Sequence, residues 1–222
     1  TGVANEDGLV VLNVASTGQP VSFDPADANL VVNEYTEYDC YDTLLDFNQD
    51  GTDVVPALAE SWEQVDDLTY TYKIREGVKF SDGSDLTMDD VLYSLNRVRE
   101  DAYGMSYLFE HVDSFEVDEK TRTLTVHLTQ PDSTWKYVPA TTPCQILKKS
   151  VVEAEGDAYG TNEGSVVGTG PYKFVSWAAD SQIVLEKNEY WWGGADNLAI
   201  DKINFYVMKD ASTIALAVKS GT

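Results

Sequence analysis

Between Tyr70 and Arg75 the chain alternates with a period of two: Tyr70, Tyr72 and Ile74 form a dry row, and Thr71, Lys73 and Arg75 a wet one. That is the signature of a half-buried strand. Asp82-Gly83 predicts a turn. The period then lengthens, with Val91, Leu92, Leu95 and Val98 at helical spacing behind Thr87, whose partner at the third helical position is Asp90, an aspartate version of the capping box. The same reading predicts a strand from Leu9 to Val14, a polar loop from Ser16 to Pro20 and a short helix from Tyr38 to Leu45. Phe115 and Val117, a turn at Asp118 to Thr121, and Leu124, Val126 and Leu128 make a hairpin. A second hairpin joins Tyr172–Trp177 to Ile183–Glu186 through Ala178 to Ser181, and Ile203 to Val207 is one more strand. Asp210 caps a last helix through Ile214, Leu216 and Val218, with Gly221 placed to end it. Asp157 to Gly168, poor in large apolar residues, reads as a loop and a crossover between lobes. Short strands mixed with a few helices predict a mixed α/β protein, and fit neither a bundle nor a sandwich.

With 222 residues, 43% of them hydrophobic, the chain can build one large domain or two modest ones. Its 15 basic and 38 acidic residues give a formal charge of -23, spread through every segment. Such a surface repels phosphate backbones and anionic lipids, which excludes nucleic acid as a partner; it serves solubility, or attracts cationic solutes. No apolar run reaches the length of a membrane-spanning helix. Cys40 and Cys144 are the only cysteines. An even count permits one disulfide, and two independent core residues fit equally, because spacing does not supply the Cβ geometry a bridge needs.

Candidate chemistry is sparse. Asp46-Phe47-Asn48-Gln49-Asp50-Gly51 imitates the start of a calcium loop, but Ala57 stands where a closing bidentate glutamate belongs, so a tight turn is the better reading. His111 and His127 belong to no nucleophile or metal pattern, and His127 shares the polar face of its strand with Thr123 and Thr125. Gly168-Thr169-Gly170 lacks the lysine of a phosphate loop and reads as a backbone junction where glycine relieves steric limits. Tyr190-Trp191-Trp192 is either a sugar-stacking platform or packing beside the turn at Gly193-Gly194. No metal, cofactor or catalytic set emerges. The acidic and aromatic content leaves a carbohydrate-acting enzyme or lectin-like module as the rival class.

Taken in order, Ser22-Phe23-Asp24-Pro25, Tyr41-Asp42-Thr43-Leu44-Leu45, Pro56-Ala57-Leu58-Ala59-Glu60-Ser61-Trp62, the segment from Tyr70 to Val91, Gly168-Thr169-Gly170-Pro171-Tyr172 and Asn188-Glu189-Tyr190-Trp191 cover nearly the whole chain. This series resembles the family 5 extracellular solute-binding proteins of ABC importers, the peptide and nickel class. The resemblance implies a periplasmic-binding-protein-like fold (type II, cluster C). Its first lobe is a discontinuous mixed-sheet unit of residues 1 to 43 and 168 to 222, with an inserted α+β domain at 44 to 167 and a third lobe outside this chain. It implies a non-catalytic receptor for dipeptides or oligopeptides, with nickel complexes, oligosaccharides or a signalling role as alternatives. Its ligand would be delivered to the permease subunits of an importer, in the periplasm or at the outer face of the cell membrane, where a lipid anchor not carried by this sequence would hold it. Asn29, Leu30 and Val31 then face the ligand cleft, pairing backbone with peptide, and Tyr103 reaches the site from the inserted domain. The family layout also brings the helix of Cys40 and the segment Thr142-Pro143-Cys144 toward one lobe junction, where a bridge would be possible. Residues 1 to 222 alone are expected to bind weakly, because the family's charge partner for a peptide terminus lies in the third lobe.

Overall fold

The computed structural model describes residues 3–4, 8–27, 37–100 and 105–220. Eleven strands among them form three sheets: β1 (Val3–Ala4), β2 (Val10–Ser16), β3 (Leu45–Phe47), β4 (Val54–Pro56), β5 (Ala59–Asp66), β6 (Thr69–Ile74), β7 (Val112–Asp118), β8 (Thr123–Leu128), β9 (Tyr172–Ala178), β10 (Gln182–Lys187) and β11 (Lys202–Val207). The helices are α1 at 37–40, α2 (Met88–Glu100), α3 (Lys149–Glu155) and α4 (Ala211–Ser220).

The five-stranded sheet runs β1-β2-β11-β10-β9, and its β2 and β11 are parallel while the other neighbours are antiparallel. Parallel neighbours cannot be joined by a tight turn, so the whole of 17–201 lies between them as a crossover. Register is pinned by polar side chains. Asp201 accepts the Val10 amide through its carboxylate at 2.8 Å, and its own amide donates to the Val10 carbonyl. Further along, Gln182 donates to Asn204 at 3.0 Å and Asn204 to Asn13 at 2.9 Å, an amide ladder across β10, β11 and β2.

The four-stranded sheet runs β5-β6-β8-β7. Tyr70, Tyr72 and Ile74 are buried and face Val126 and Leu124 across the β6–β8 ladder, as the alternation predicts. Trp135 closes this core, its indole N–H donating to the Tyr72 hydroxyl at 3.1 Å and its ring meeting Phe109 edge-on. The predicted capping box is present: Asp90 N donates to Thr87 Oγ1 at 3.1 Å, and Thr87 N to Asp90 Oδ2 at 3.0 Å. One member of the predicted stripe differs. Leu92 is half-buried, and Ser94 is buried in its place, donating to the Asp90 carbonyl at 2.7 Å and accepting the Leu147 amide at 2.9 Å.

The expected helix from Tyr38 to Leu45 is shorter. It ends at Cys40, and Leu45 begins β3, paired antiparallel with β4. Side chains that a helix would turn to solvent are held elsewhere: Asp42 by Thr169 and Trp192, and Thr43 by the Leu45 carbonyl. Tertiary partners here override local propensity.

Two apolar clusters result. The larger is drawn from residues between Leu44 and Ile146, and the smaller from Phe23, Cys40 and Tyr41 with Leu147, Val152, Tyr159, Val166 and the sheet residues Tyr172, Ile183, Leu185 and Ile203.

Candidate functional site

The residues expected at the ligand, Asn29, Leu30, Val31 and Tyr103, lie outside the described residues. The described chain resumes after each group at positions that share one hollow of ≈ 260 Å³. Tyr38 on α1 lines it from one side and Met105 and Tyr107 from another; Phe47 at the end of β3, with Thr142 and Pro143 of a short 3₁₀ turn, completes the wall. The Tyr38 hydroxyl accepts from Thr142 Oγ1 at 3.0 Å, which fixes the phenol at the rim. Phe47 lies nearly parallel to Tyr137, 7° between planes and 6.4 Å between centroids. Tyr107 stands 64% exposed. Four aromatic rings facing solvent this close to one opening are costly for a surface unless something covers them.

A second constellation centres on Asp42, between Tyr41 of the smaller cluster and Leu44 of the larger. Asp42 Oδ2 accepts both Thr169 Oγ1 at 3.0 Å and the indole N–H of Trp192 at 2.8 Å, while the Arg75 guanidinium sits 4.5 Å over the Trp192 ring. Burial pushes the Asp42 carboxyl up to about 7, against the lowering pull of those two hydrogen bonds and with a further push from Asp46. Asp39 is also raised to about 7, by burial. The glycines of Gly168-Thr169-Gly170 answer the expectation of a tight backbone passage: a Cβ on Gly168 would stand 2.1 Å from the Cys40 carbonyl oxygen, and one on Gly170 2.5 Å from the Cys40 carbonyl carbon. Gly170 donates its amide to that same Cys40 carbonyl at 3.0 Å.

A third constellation anchors the chain where it enters residue 28. Arg97 of α2 grips Asp24 with both guanidinium nitrogens, at 2.7 and 2.6 Å, and the side chains are 15% and 8% exposed. Asp24 also caps the 3₁₀ turn Pro25–Asp27 by accepting the Ala26 amide at 3.1 Å. Phe23 beside it packs edge-on against Phe174 and Trp177 and donates its amide to the Gly160 carbonyl at 2.7 Å.

Cys40 and Cys144 are free thiols, not a bridge. They are buried in different clusters, Cys40 in the smaller and Cys144 in the larger, so each serves as a small core residue. Asn48 organises the calcium-like loop as a hairpin turn, accepting the Gly51 and Thr52 amides. Among the described residues no group of three or more His, Cys, Asp and Glu side chains could hold a metal ion. The Trp191-Trp192 pair packs on itself, ring centroids 5.9 Å apart, and Trp192 is spent on Asp42.

Sequence reading missed Asp42, Arg97 and the hollow's rim. Asp42 and Asp24 sat inside quoted motifs, yet nothing linear linked them to Trp192, 150 positions on, or to Arg97, 73 positions on. Tyr107 and Phe47 carried no signal beyond being aromatic.

The five-stranded mixed sheet, with the four-stranded sheet lying in sequence between its parallel neighbours β2 and β11, has counterparts among solved structures. The ABC transporter-associated periplasmic binding protein DppA of Helicobacter pylori, solved in complex with the peptide STSA, superposes with a TM-score of 0.82 at 29% identity, over 95% of this chain and 45% of its own. The chain belongs to the bacterial extracellular solute-binding proteins, family 5, whose middle region matches residues 53–222. It is 29% identical to a di/tripeptide-binding protein of Pseudomonas aeruginosa, over 93% of this chain and 42% of the relative. It is 31% identical to a dipeptide-binding protein of Escherichia coli K12, over 89% and 41%. The chain thus spans less than half the length of these relatives. Members of this family are transport binding proteins, not enzymes.

Proposed function

We propose that this chain forms the peptide-gripping part of an extracytoplasmic receptor that hands oligopeptides to the permease of an ABC importer and does no chemistry on them. The observation that carries the reading is the family match over 53–222, joined to likeness along 95% of the chain with a relative solved around a bound peptide. Residues 1 to 43 and 168 to 222 serve as the first lobe and 44 to 167 as the inserted one, with the Asp42–Thr169–Trp192 cluster at their junction. Asn29, Leu30 and Val31 pair their backbone with the peptide, which suits cargo of varied side chains, and Tyr103 contacts it from the inserted lobe. The remainder of the receptor closes over the ligand by hinge motion, and the ligand favours the closed form only through its higher affinity for it. A lipid anchor on the full-length protein would keep the receptor at the outer face of the membrane or in the periplasm.

Mass spectrometry of ligand released from the full-length protein tests the reading, paired with calorimetry against short peptides. Co-purified peptide and micromolar or tighter binding are expected. A full-length protein that carries no peptide and takes up none from the library would overturn it.

A further inference from the structure

Resting on that peptide-receptor reading, the hollow beside α1 admits a sharper statement about cargo. Its rim is aromatic: Tyr38, Phe47 and Tyr107 line it, each with more than a third of its surface exposed, and Met105 and Pro143 supply apolar wall between them. Among the described residues that line it, none is a lysine or arginine. The lysines five positions from its wall in sequence, Lys136 before Thr141 and Lys148 after Pro143, are both committed: Lys136 pairs with Asp53 at 2.6 Å and lies against Tyr137 and Trp62, and Lys148 pairs with Asp82. Exposed carboxylates stand next to the rim in the chain, Asp46 before Phe47 and Glu110 just beyond the turn that carries Tyr107. The whole chain carries a formal charge of -23.

An aromatic ring face carries negative charge, and a cation seated on one gains attraction at a small cost in lost hydration, most of all the weakly hydrated guanidinium. A carboxylate entering the same hollow would find no lysine or arginine among its described lining residues and would meet a repulsive field. At ≈ 260 Å³ the space takes one long side chain rather than a length of backbone. We infer that the hollow bounded by Tyr38, Phe47 and Tyr107 is a subsite for a cationic side chain of the bound peptide, arginine above lysine. The receptor therefore selects basic peptides over acidic ones. Thr142 Oγ1 donates to the Tyr38 hydroxyl and so holds that ring at the rim.

The test uses the full-length protein and calorimetry with Ala-Arg-Ala, Ala-Lys-Ala, Ala-Leu-Ala and Ala-Glu-Ala. Ala-Arg-Ala is expected to bind about tenfold more tightly than Ala-Glu-Ala, and Tyr107→Leu, which keeps apolar bulk but removes the ring, should cost the arginine peptide about fivefold more affinity than the leucine peptide. Wild-type binding without preference among the four, or a Tyr107→Leu loss equal for all, overturns the subsite while leaving the peptide reading intact. N-acetyl-arginine amide and N-acetyl-glutamate amide are titrated in parallel, followed by chemical shifts of the tyrosine rings. If no tripeptide binds but the arginine probe moves resonances that Tyr107→Leu removes, the subsite stands and the peptide reading falls. If neither binds, the subsite falls too.

Discussion

Asp42 accepts the indole N–H of Trp192 at 2.8 Å, across 150 positions of sequence, and the same carboxylate oxygen accepts Thr169. One acidic side chain therefore ties the end of α1 to the return segment of the five-stranded sheet.

Its ionisation should be visible in stability. The folded carboxyl titrates near 7, above an ordinary value of 3.8, so between those values the folded state holds a proton that the unfolded state has released. Stability then falls as pH rises through that window, because the native state binds more protons there. Asp42→Asn keeps an oxygen for Trp192 and Thr169 without the charge. Urea unfolding should find it roughly as stable as the parent at pH 3, below both values, and increasingly more stable as pH rises through the window, by about 2 kcal/mol or more at pH 8. Equal stabilities at pH 8 would contradict the assignment.

The Arg97–Asp24 pair predicts a large loss when broken. Removing one member of a two-pronged, mostly buried pair strands the other charge, at a cost of about 3 kcal/mol. Arg97→Met should lose that much by denaturant midpoint, whereas Asp24→Asn with Arg97→Met together should lose less than the sum of the two single changes. Simple additivity in this double-mutant cycle would argue against direct coupling.

Two glycines separate steric from conformational cost. Gly170 has no room, so Gly170→Ala should destabilise by about 3 kcal/mol through a clash with the Cys40 backbone. Gly51 has open space but a φ of +65°, so Gly51→Ala should cost only about 1 kcal/mol of left-handed strain. A thermal shift series on the two variants ranks them directly, and the reverse ranking would be incompatible with this geometry.

The cysteines give a chemical test. Both thiols are buried, and burial pushes Cys144 up to about 12 and Cys40 well above its ordinary value, so neither offers thiolate at neutral pH. A thiol-reactive dye should label neither in the native protein and both after unfolding without reductant. Labelling of none in denaturant alone would reveal a bridge.

Local chemistry reached some elements completely. The Thr87 and Asp90 box, the Asp82-Gly83 turn, both hairpins and the Asp210 cap on α4 each depend on residues within a few positions, so spacing suffices to read them. The helix predicted from Tyr38 to Leu45 failed where that independence ended. Asp42 and Thr43 have helix-compatible neighbours, but their partners come from 127 and 150 positions away and from the strand that follows. The cleft residues Asn29 to Val31 and Tyr103 came from family resemblance, not from local pattern.

By itself, the order of residues determined β2, β6 to β11 and the capped helices α2 and α4, and through its motifs the family, because those depend on short-range periodicity and backbone preference. Only the tertiary structure decided that β2 lies parallel to β11, that Asp42 meets Trp192, that the two cysteines go to separate cores and that Tyr38, Phe47 and Tyr107 surround one opening. Those relations join residues far apart in sequence, and they arise when packing two cores against each other satisfies buried polar groups that no neighbour along the chain can reach.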